Sequence, residues 1–241
     1  EVCEGCGDCS VKSNCVSVEP DETEFGRKRK INQSSCNKDF SCVNGFCPSF
    51  VTVHGGGLRK PKRASAPTKA SGGIDDIVAD LPTPETASVD EPVGILVTGI
   101  GGTGVLTVGA LLGMAAHLEG KGSSVLDYTG LAQKNGAVMS HVRIAKRPED
   151  IQAVRIASGG SDLVLGCDMV VAASEAALQT MDNGGTRAIV NSHLAPTAAF
   201  TLNPDLQYGP NAMQDAIRQA AGDNQTEFLD ATRIATALMG D

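Results

Sequence analysis

The chain has 241 residues, enough for one or two domains with a real core. Aromatic residues make up only 3%, Trp is absent and the net charge is −8, which excludes a base-stacking platform or a basic field for nucleic acid. No run of about 18 uninterrupted apolar residues occurs, so a membrane span is excluded on length.

The first 47 residues hold seven of the eight cysteines. No apolar signal segment opens the chain, so these thiols point to a metal site in a reducing cytoplasm rather than to a disulfide framework. Residues 1–54 are expected to form a cysteine-rich, ferredoxin-like iron–sulfur segment, loop-like, with short extended pieces at 15–18 and 50–53. Cys3, Cys6 and Cys9 stand in CxxCxxC, a spacing that wraps a tight loop around three corners of a cubane and turns backbone N–H groups toward sulfur. In two-cluster ferredoxins the fourth cysteine of each run, followed by Pro, crosses to the other cluster. Cys47 precedes Pro48, so by that rule Cys3, Cys6, Cys9 and Cys47 are the ligand set for one [4Fe-4S] cluster. Cys15, Cys36 and Cys42 are left one thiolate short of a second.

Zinc is the principal metal alternative, although closed zinc sites usually show two separated CxxC pairs. Cys167 falls in an apolar run and reads as a buried small hydrophobe. Arg27, Lys28, Arg29 and Lys30 form a basic run, read either as a solvated loop or as a field that steers an acidic electron carrier. Charge is uneven along the chain. Residues 1–63 carry a net +2 and the remainder a net −10, so the two parts should face each other or have different partners.

From 55 to 92 the sequence is rich in Gly, Pro, Ala and Ser and turns from basic to acidic, which is linker chemistry. A helical turn or two is expected at 74–81. At Gly94 an apolar run begins and continues into a glycine turn and an amphipathic helix, the entry to a βαβ unit. Further strands are expected at 123–128, 141–145, 168–173 and 187–192, with helices at 174–181, 211–221 and 225–239. Strands alternating with helices favour a Rossmann-like, mostly parallel α/β sheet covered on both faces, spanning 93–241.

The glycine turn TGIGGTG sets Gly99, Gly101 and Gly104 in GxGxxG register between strand and helix. Asp127 lies 23 residues beyond Gly104, near where a ribose-binding acid stands in a dinucleotide site. An NAD-binding oxidoreductase is therefore one alternative. The turn also has an architectural explanation, since glycine there lets helix and sheet pack closely with or without a ligand. The following loop, GLAQKNGAVMSHVRI, leads straight back into a strand, which no ordinary dinucleotide fold requires.

These segments together resemble a known family. VCEGCGDCSVKSNC through SCVNGFCPSFVTV, then VTGIGGTGVLTVGALLGMAAHLEGK, GLAQKNGAVMSHVRIA and VNSHLAPTAAFTLNPDL, are similar to the middle of the long fused indolepyruvate ferredoxin oxidoreductases. The resemblance covers essentially the whole chain. It implies decarboxylation of a 2-oxo acid on thiamine diphosphate with Mg2+, capture as the coenzyme A thioester, and single-electron transfer through iron–sulfur clusters to ferredoxin. It further implies that 93–241 is a gamma-type domain whose turn (Gly99, Gly101, Gly102, Gly104) and loop (Gln133, Asn135) contact a coenzyme or the thiamine-diphosphate-binding domains of the same enzyme. A homo-oligomer is implied for the full enzyme.

The departures carry equal weight. The chain has no GDG, the start of the motif that holds thiamine diphosphate and Mg2+ in that family, so it is expected to be a fragment, inactive alone, with the gamma-type domain continuing past residue 241. A non-catalytic interaction module with a structural zinc is the alternative of another class.

Overall fold

The computed structural model describes residues 2–33, 35–51, 54–55, 81–83, 88–130, 136–195, 203, 206–207 and 209–239. The expected linker helix at 74–81 and the loop residues Gln133 and Asn135 lie largely or wholly outside the described residues.

The cysteine segment begins with a tight loop that enters helix α1 (Asp8–Ser13). It continues into an antiparallel hairpin of β1 (Val18–Thr23) and β2 (Gly26–Ile31), then a 3-10 turn, Ser41–Asn44. The strands expected at 15–18 and 50–53 are not formed among the described residues. Cys15 precedes the hairpin, and residues 50 and 51 lie outside regular structure. The hairpin forms instead from the charged stretches on either side of Phe25 and Gly26, whose opposite signs pair across the ladder. Asp21 faces Lys28 and Glu22 faces Arg27 in register, and Arg27 and Lys30 form ion pairs with Glu22 and Asp21. The basic run is thus one edge of a hairpin, partly neutralised by its neighbour strand, and not a loop. Such exposed pairs align strands more than they stabilise them.

The α/β domain has six strands in the order β4-β5-β3-β6-β7-β8. β3 (Val93–Ile100) is central and buried from Gly94 onward. Helix α2 (Val105–Leu118) follows, then β4 (Gly122–Thr129) and β5 (Ala137–Ala145). Beyond these come β6 (Leu163–Gly166), short helices α3 (Met169–Ala172) and α4 (Glu175–Leu178), β7 (Arg187–Asn191), α5 (Pro210–Ala221), β8 (Thr226–Leu229) and α6 (Ala231–Met239). β3, β6, β7 and β8 are mutually parallel, whereas β5 runs antiparallel to both β3 and β4. The sheet is therefore mixed but mostly parallel, as alternation leads one to expect, with β5 the one reversed strand. Chain length explains it: only 130–136 separates β4 from β5, and a parallel return needs a crossover of about a dozen residues or more.

Two other assignments differ. The apolar run 168–173 is a helix, because Asp168 accepts a hydrogen bond from the Val171 N–H at 2.9 Å and caps α3. The strand is the preceding LVLG, since a short buried run reads equally as strand or helix. The helix expected over 225–239 begins only at Ala231. Thr226–Leu229 pairs with Ala188–Asn191 as an edge strand, and Asp230 caps the helix through the Arg233 N–H.

Alternation along β3 divides the core. Ile95 and Val97 pack with Val105, Val138 and Val142 beneath α2. Leu96, on the opposite face, packs with Val164, Met169, Val190 and Ile217 beneath α3, α4 and α5. At about 25 cal/mol per Å2 of apolar area, each such side chain contributes roughly 1.5–3 kcal/mol. Between the two parts of the chain, Arg27 Nη1 donates to the Leu206 carbonyl at 3.3 Å, so the basic strand meets the acidic domain. No helix among the described residues is long and apolar enough to cross a membrane.

Candidate metal centre and glycine turn

The loop from Cys3 to Cys9 turns on two glycines in the left-handed region, Gly5 (φ 73°) and Gly7 (φ 77°). A Cβ at Gly5 would lie 2.7 Å from the Arg27 carbonyl oxygen, so only glycine lets the loop rest against β2. That fold aims two amides at one sulfur: the Gly5 N–H at 3.3 Å and the Arg29 N–H at 3.4 Å both donate to Cys3 Sγ. Amide donors of this kind stabilise thiolate charge and tune a cluster's potential.

Cys47 joins this loop from the far end of the segment. The Phe46 N–H donates to Asp8 Oδ2 at 2.8 Å, and a Cβ at Gly45 would touch the Cys9 backbone nitrogen at 3.0 Å. Burial pushes the Cys9 thiol up, and charge on Cys47 and Cys3 adds to the rise. The turn at Gly45 and Phe46 thus brings Cys47 to the Cys9 end of the loop, with exposed Cys6 on the same loop. Burial likewise raises Cys42, with Cys15, Cys36 and Asp39 adding like charge. The seven thiols sort into two groups, and all are free of disulfides. Among the described residues no three His, Cys, Asp or Glu side chains are gathered closely enough to hold a metal ion; a four-iron cluster spreads its thiolates wider than a single ion does. The first loop fits a cluster in its donor set and its amide donors.

In the α/β domain the glycine turn sits at the C-terminal end of β3. Gly99 is held by packing: a Cβ there would strike Thr103 Oγ1 and lie 2.8 Å from Val105 and 3.1 Å from Cys167. Gly102 (φ 101°) and Gly104 (φ 82°) are needed for backbone conformation, with open space where a Cβ would point. The Gly101 N–H is taken by the Gly136 carbonyl at 2.8 Å. Gly104 starts α2 without a side-chain cap, and Gly102, Thr103 and Gly104 at this helix N-terminus are exposed. Asp127 is exposed on β4, and the inserted strand β5 holds β4 about 10 Å from β3, twice the strand spacing. A ribose acid would ordinarily stand on the adjacent strand, so the NAD alternative loses its acid.

Sequence reasoning passed over a second group at this end of the sheet. β3 and β6 are where the strand order changes direction, the crevice at which open α/β sheets bind ligands. Asp168, 2% exposed, lies beside it with Oδ2 unpartnered. Burial raises its carboxyl pKa, offset in part by the Val171 and Val170 amides and by His193. Asn191 Nδ2 donates to the Cys167 carbonyl at 3.1 Å and so ties the ends of β6 and β7 together. The one available signal was an acid inside an apolar run.

A family model described as pyruvate ferredoxin/flavodoxin oxidoreductase matches residues 94–241. The chain is 36% identical over 78 residues to the indolepyruvate oxidoreductase subunit IorB of Thermococcus kodakarensis, covering 32% of this chain and 37% of that one. The IorB of Pyrococcus horikoshii is 35% identical over the same length and coverage. The chain thus spans little more than a third of the length of the curated relatives it matches. Among solved structures, pyruvate oxidoreductase subunit PORC of Thermotoga maritima aligns with a TM-score of 0.40 at 19% identity, over 61% of this chain and 66% of that one. The keto/oxoacid ferredoxin oxidoreductase gamma subunit of Geobacter sulfurreducens aligns with a TM-score of 0.39 at 21% identity, over 61% and 67%.

Proposed function

Because the chain belongs to the pyruvate ferredoxin/flavodoxin oxidoreductase family, we propose that it is the electron-relay and gamma-type part of a 2-oxo acid ferredoxin oxidoreductase of the indolepyruvate type. The observation that carries this reading is the first cysteine loop. Left-handed Gly5 and Gly7 wrap it, two amides meet Cys3 Sγ, and the turn before Cys47 packs on Cys9 and Asp8. Cys3, Cys6, Cys9 and Cys47 would hold one [4Fe-4S] cluster, which accepts and gives one electron at a time. The Gly5 and Arg29 amides would favour the more negative, reduced state and so raise its potential.

Thiamine diphosphate with Mg2+ supplies the decarboxylation chemistry in such enzymes, and coenzyme A the acyl acceptor. In this reading thiamine diphosphate would be held by another part of the enzyme, since the family motif that begins with GDG does not occur in this sequence. The glycine turn and the exposed N-terminus of α2 would face it. Support comes from α2 itself, whose outward side exposes Leu111 (64%), Met114 (56%) and Leu118 (79%). An unpartnered apolar face of that kind marks a protein contact. Ferredoxin would take the electrons, and the β2 edge beside the first loop offers it positive charge.

Iron and acid-labile sulfide analysis of anaerobically purified protein, with electron paramagnetic resonance after dithionite reduction, tests the reading. At least about four irons and four sulfides per chain with an S = 1/2 signal are expected. Zinc without sulfide, in protein never exposed to air, would overturn it.

A further inference from the structure

The loop from Cys36 to Cys42 repeats the loop from Cys3 to Cys9 in backbone, though not in sequence. The two read CNKDFSC and CEGCGDC. Lys38 takes the place of Gly5 and has φ 59° against 73°; Phe40 takes the place of Gly7 and has φ 58° against 77°. Non-glycine residues rarely adopt this region, which costs roughly 1–2 kcal/mol each. Two of them at matched positions imply a loop shape that is required. The Lys38 N–H donates to Cys36 Sγ at 3.3 Å, the same contact as Gly5 to Cys3. Phe40 is the N-cap of the 3-10 turn Ser41–Asn44, as Gly7 is of α1.

Asp39 stands in this second loop where Cys6 stands in the first. Both are exposed. Asp39 also lines a cavity of about 770 Å3 together with Cys15, Cys36 and Cys42. Its Oδ1 is oriented by the Ser41 N–H at 3.0 Å and the Ser41 hydroxyl at 2.9 Å, and its Oδ2 lies 3.4 Å from Asn37 Nδ2. A carboxylate held in this way is a competent hard ligand for iron. The crossing of ligands is reciprocal as well: the Gly45–Phe46 turn just before Cys47 packs on Cys9 and Asp8 of the first loop, and Cys15 from the first run lines the same cavity as Cys36 and Cys42.

We propose that the second loop binds its own four-iron cluster, with Cys15, Cys36 and Cys42 as thiolate ligands and Asp39 as the fourth, an oxygen ligand at one iron. This deepens the electron-relay reading, on which it rests, by adding a second relay centre with a distinct and more labile corner. Oxygen binds iron of this kind less tightly than thiolate does, so the Asp39-held iron is the one that leaves first, giving a three-iron cluster and free Fe2+ after one-electron oxidation by ferricyanide or air.

The full chain, purified and reconstituted without oxygen as wild type, Asp39→Ala, Asp39→Cys and Cys6→Ser, decides it by iron and sulfide content and by electron paramagnetic resonance. Wild type should hold about eight irons and eight sulfides. Asp39→Ala should lose about one iron in eight and show the near-isotropic signal of an oxidised three-iron cluster. Asp39→Cys should restore eight irons, resist ferricyanide and change the reduced spectrum, a result that loss of folding cannot imitate. Four irons in wild type, lost in Cys6→Ser but not in Asp39→Ala, would overturn the second cluster and leave the first. Eight irons with Asp39→Ala unchanged in count and spectrum would overturn Asp39 as ligand. Absence of iron and sulfide throughout would overturn the relay reading itself.

Discussion

Gly5 and Lys38 each donate a backbone N–H to the sulfur of the cysteine two positions earlier, at 3.3 Å in both loops. They do so from the same left-handed conformation, one without cost and one under strain. The correspondence sets up a reciprocal experiment. Lys38→Gly should raise stability by up to about 1 kcal/mol, since it removes a strained φ. Gly5→Ala adds strain and a contact with the Arg27 carbonyl and should cost at least about 1 kcal/mol with loss of iron from the first loop. Denaturant titration of both variants checks the signs.

At the glycine turn, packing makes a separate claim. Gly99→Ala would press a methyl group into Thr103, Val105 and Cys167. It should destabilise the α/β domain by about 1–3 kcal/mol whether or not a coenzyme is present. Equal loss of thermal stability with and without added coenzyme A is the expected result; a loss confined to the coenzyme-bound protein would assign Gly99 to binding.

His141 is buried at 3% exposure, its Nδ1 accepting the Ile156 N–H at 3.3 Å and its ring edge-on to Tyr128. Burial first, and the Arg155 charge second, hold its pKa below the ordinary value. A depressed pKa means that the unfolded chain takes up the proton first. Its contribution is present above the unfolded pKa of about 6.5 and is lost as pH falls from there through the folded value. His141→Asn keeps an acceptor for Ile156 without titrating. Thermal melts across that window should show a shallower decline for the variant than for wild type.

Asp168 titrates in the opposite sense. Burial raises its carboxyl, so its contribution is intact below the unfolded pKa of about 3.9 and is lost as pH rises through the folded one. Asp168→Asn retains the cap on Val171 and removes the buried charge. At neutral pH it should be as stable as wild type or more so, whereas Asp168→Ala should lose about 0.5–2 kcal/mol with the cap. Equal losses in both variants would mean that the charge itself is compensated in the fold.

Along α2, Leu111→Asp with Met114→Asp should leave the melting temperature of the chain nearly unchanged, since both side chains already face solvent. Assembly with the thiamine-binding part of the enzyme should fall at least tenfold, read as a dissociation constant by sedimentation. Unchanged assembly would remove this face from the interface.

Much of this protein follows from sequence alone, for local reasons. CxxCxxC, the Cys47–Pro48 pair and GxGxxG are short-range patterns whose backbone consequences arise within a few residues, and β3 and α2 are long enough for periodicity to identify them. The sequence also carries the reversal of β5, because no crossover fits between β4 and β5. Tertiary structure decided what depends on partners remote in the chain. Whether LVLG or VVAA became strand was set by the cap at Asp168 and by pairing with β3 and β7. The edge strand β8 exists only because β7 offers it a ladder. The hairpin formed where opposite charges could face across it. Asp39 drew no attention as a ligand, because carboxylates are common on surfaces. Only the backbone conformation shared by Lys38 with Gly5 and by Phe40 with Gly7 places it where a cysteine stands in the other loop, since φ reports the shape a loop must take even when its sequence does not.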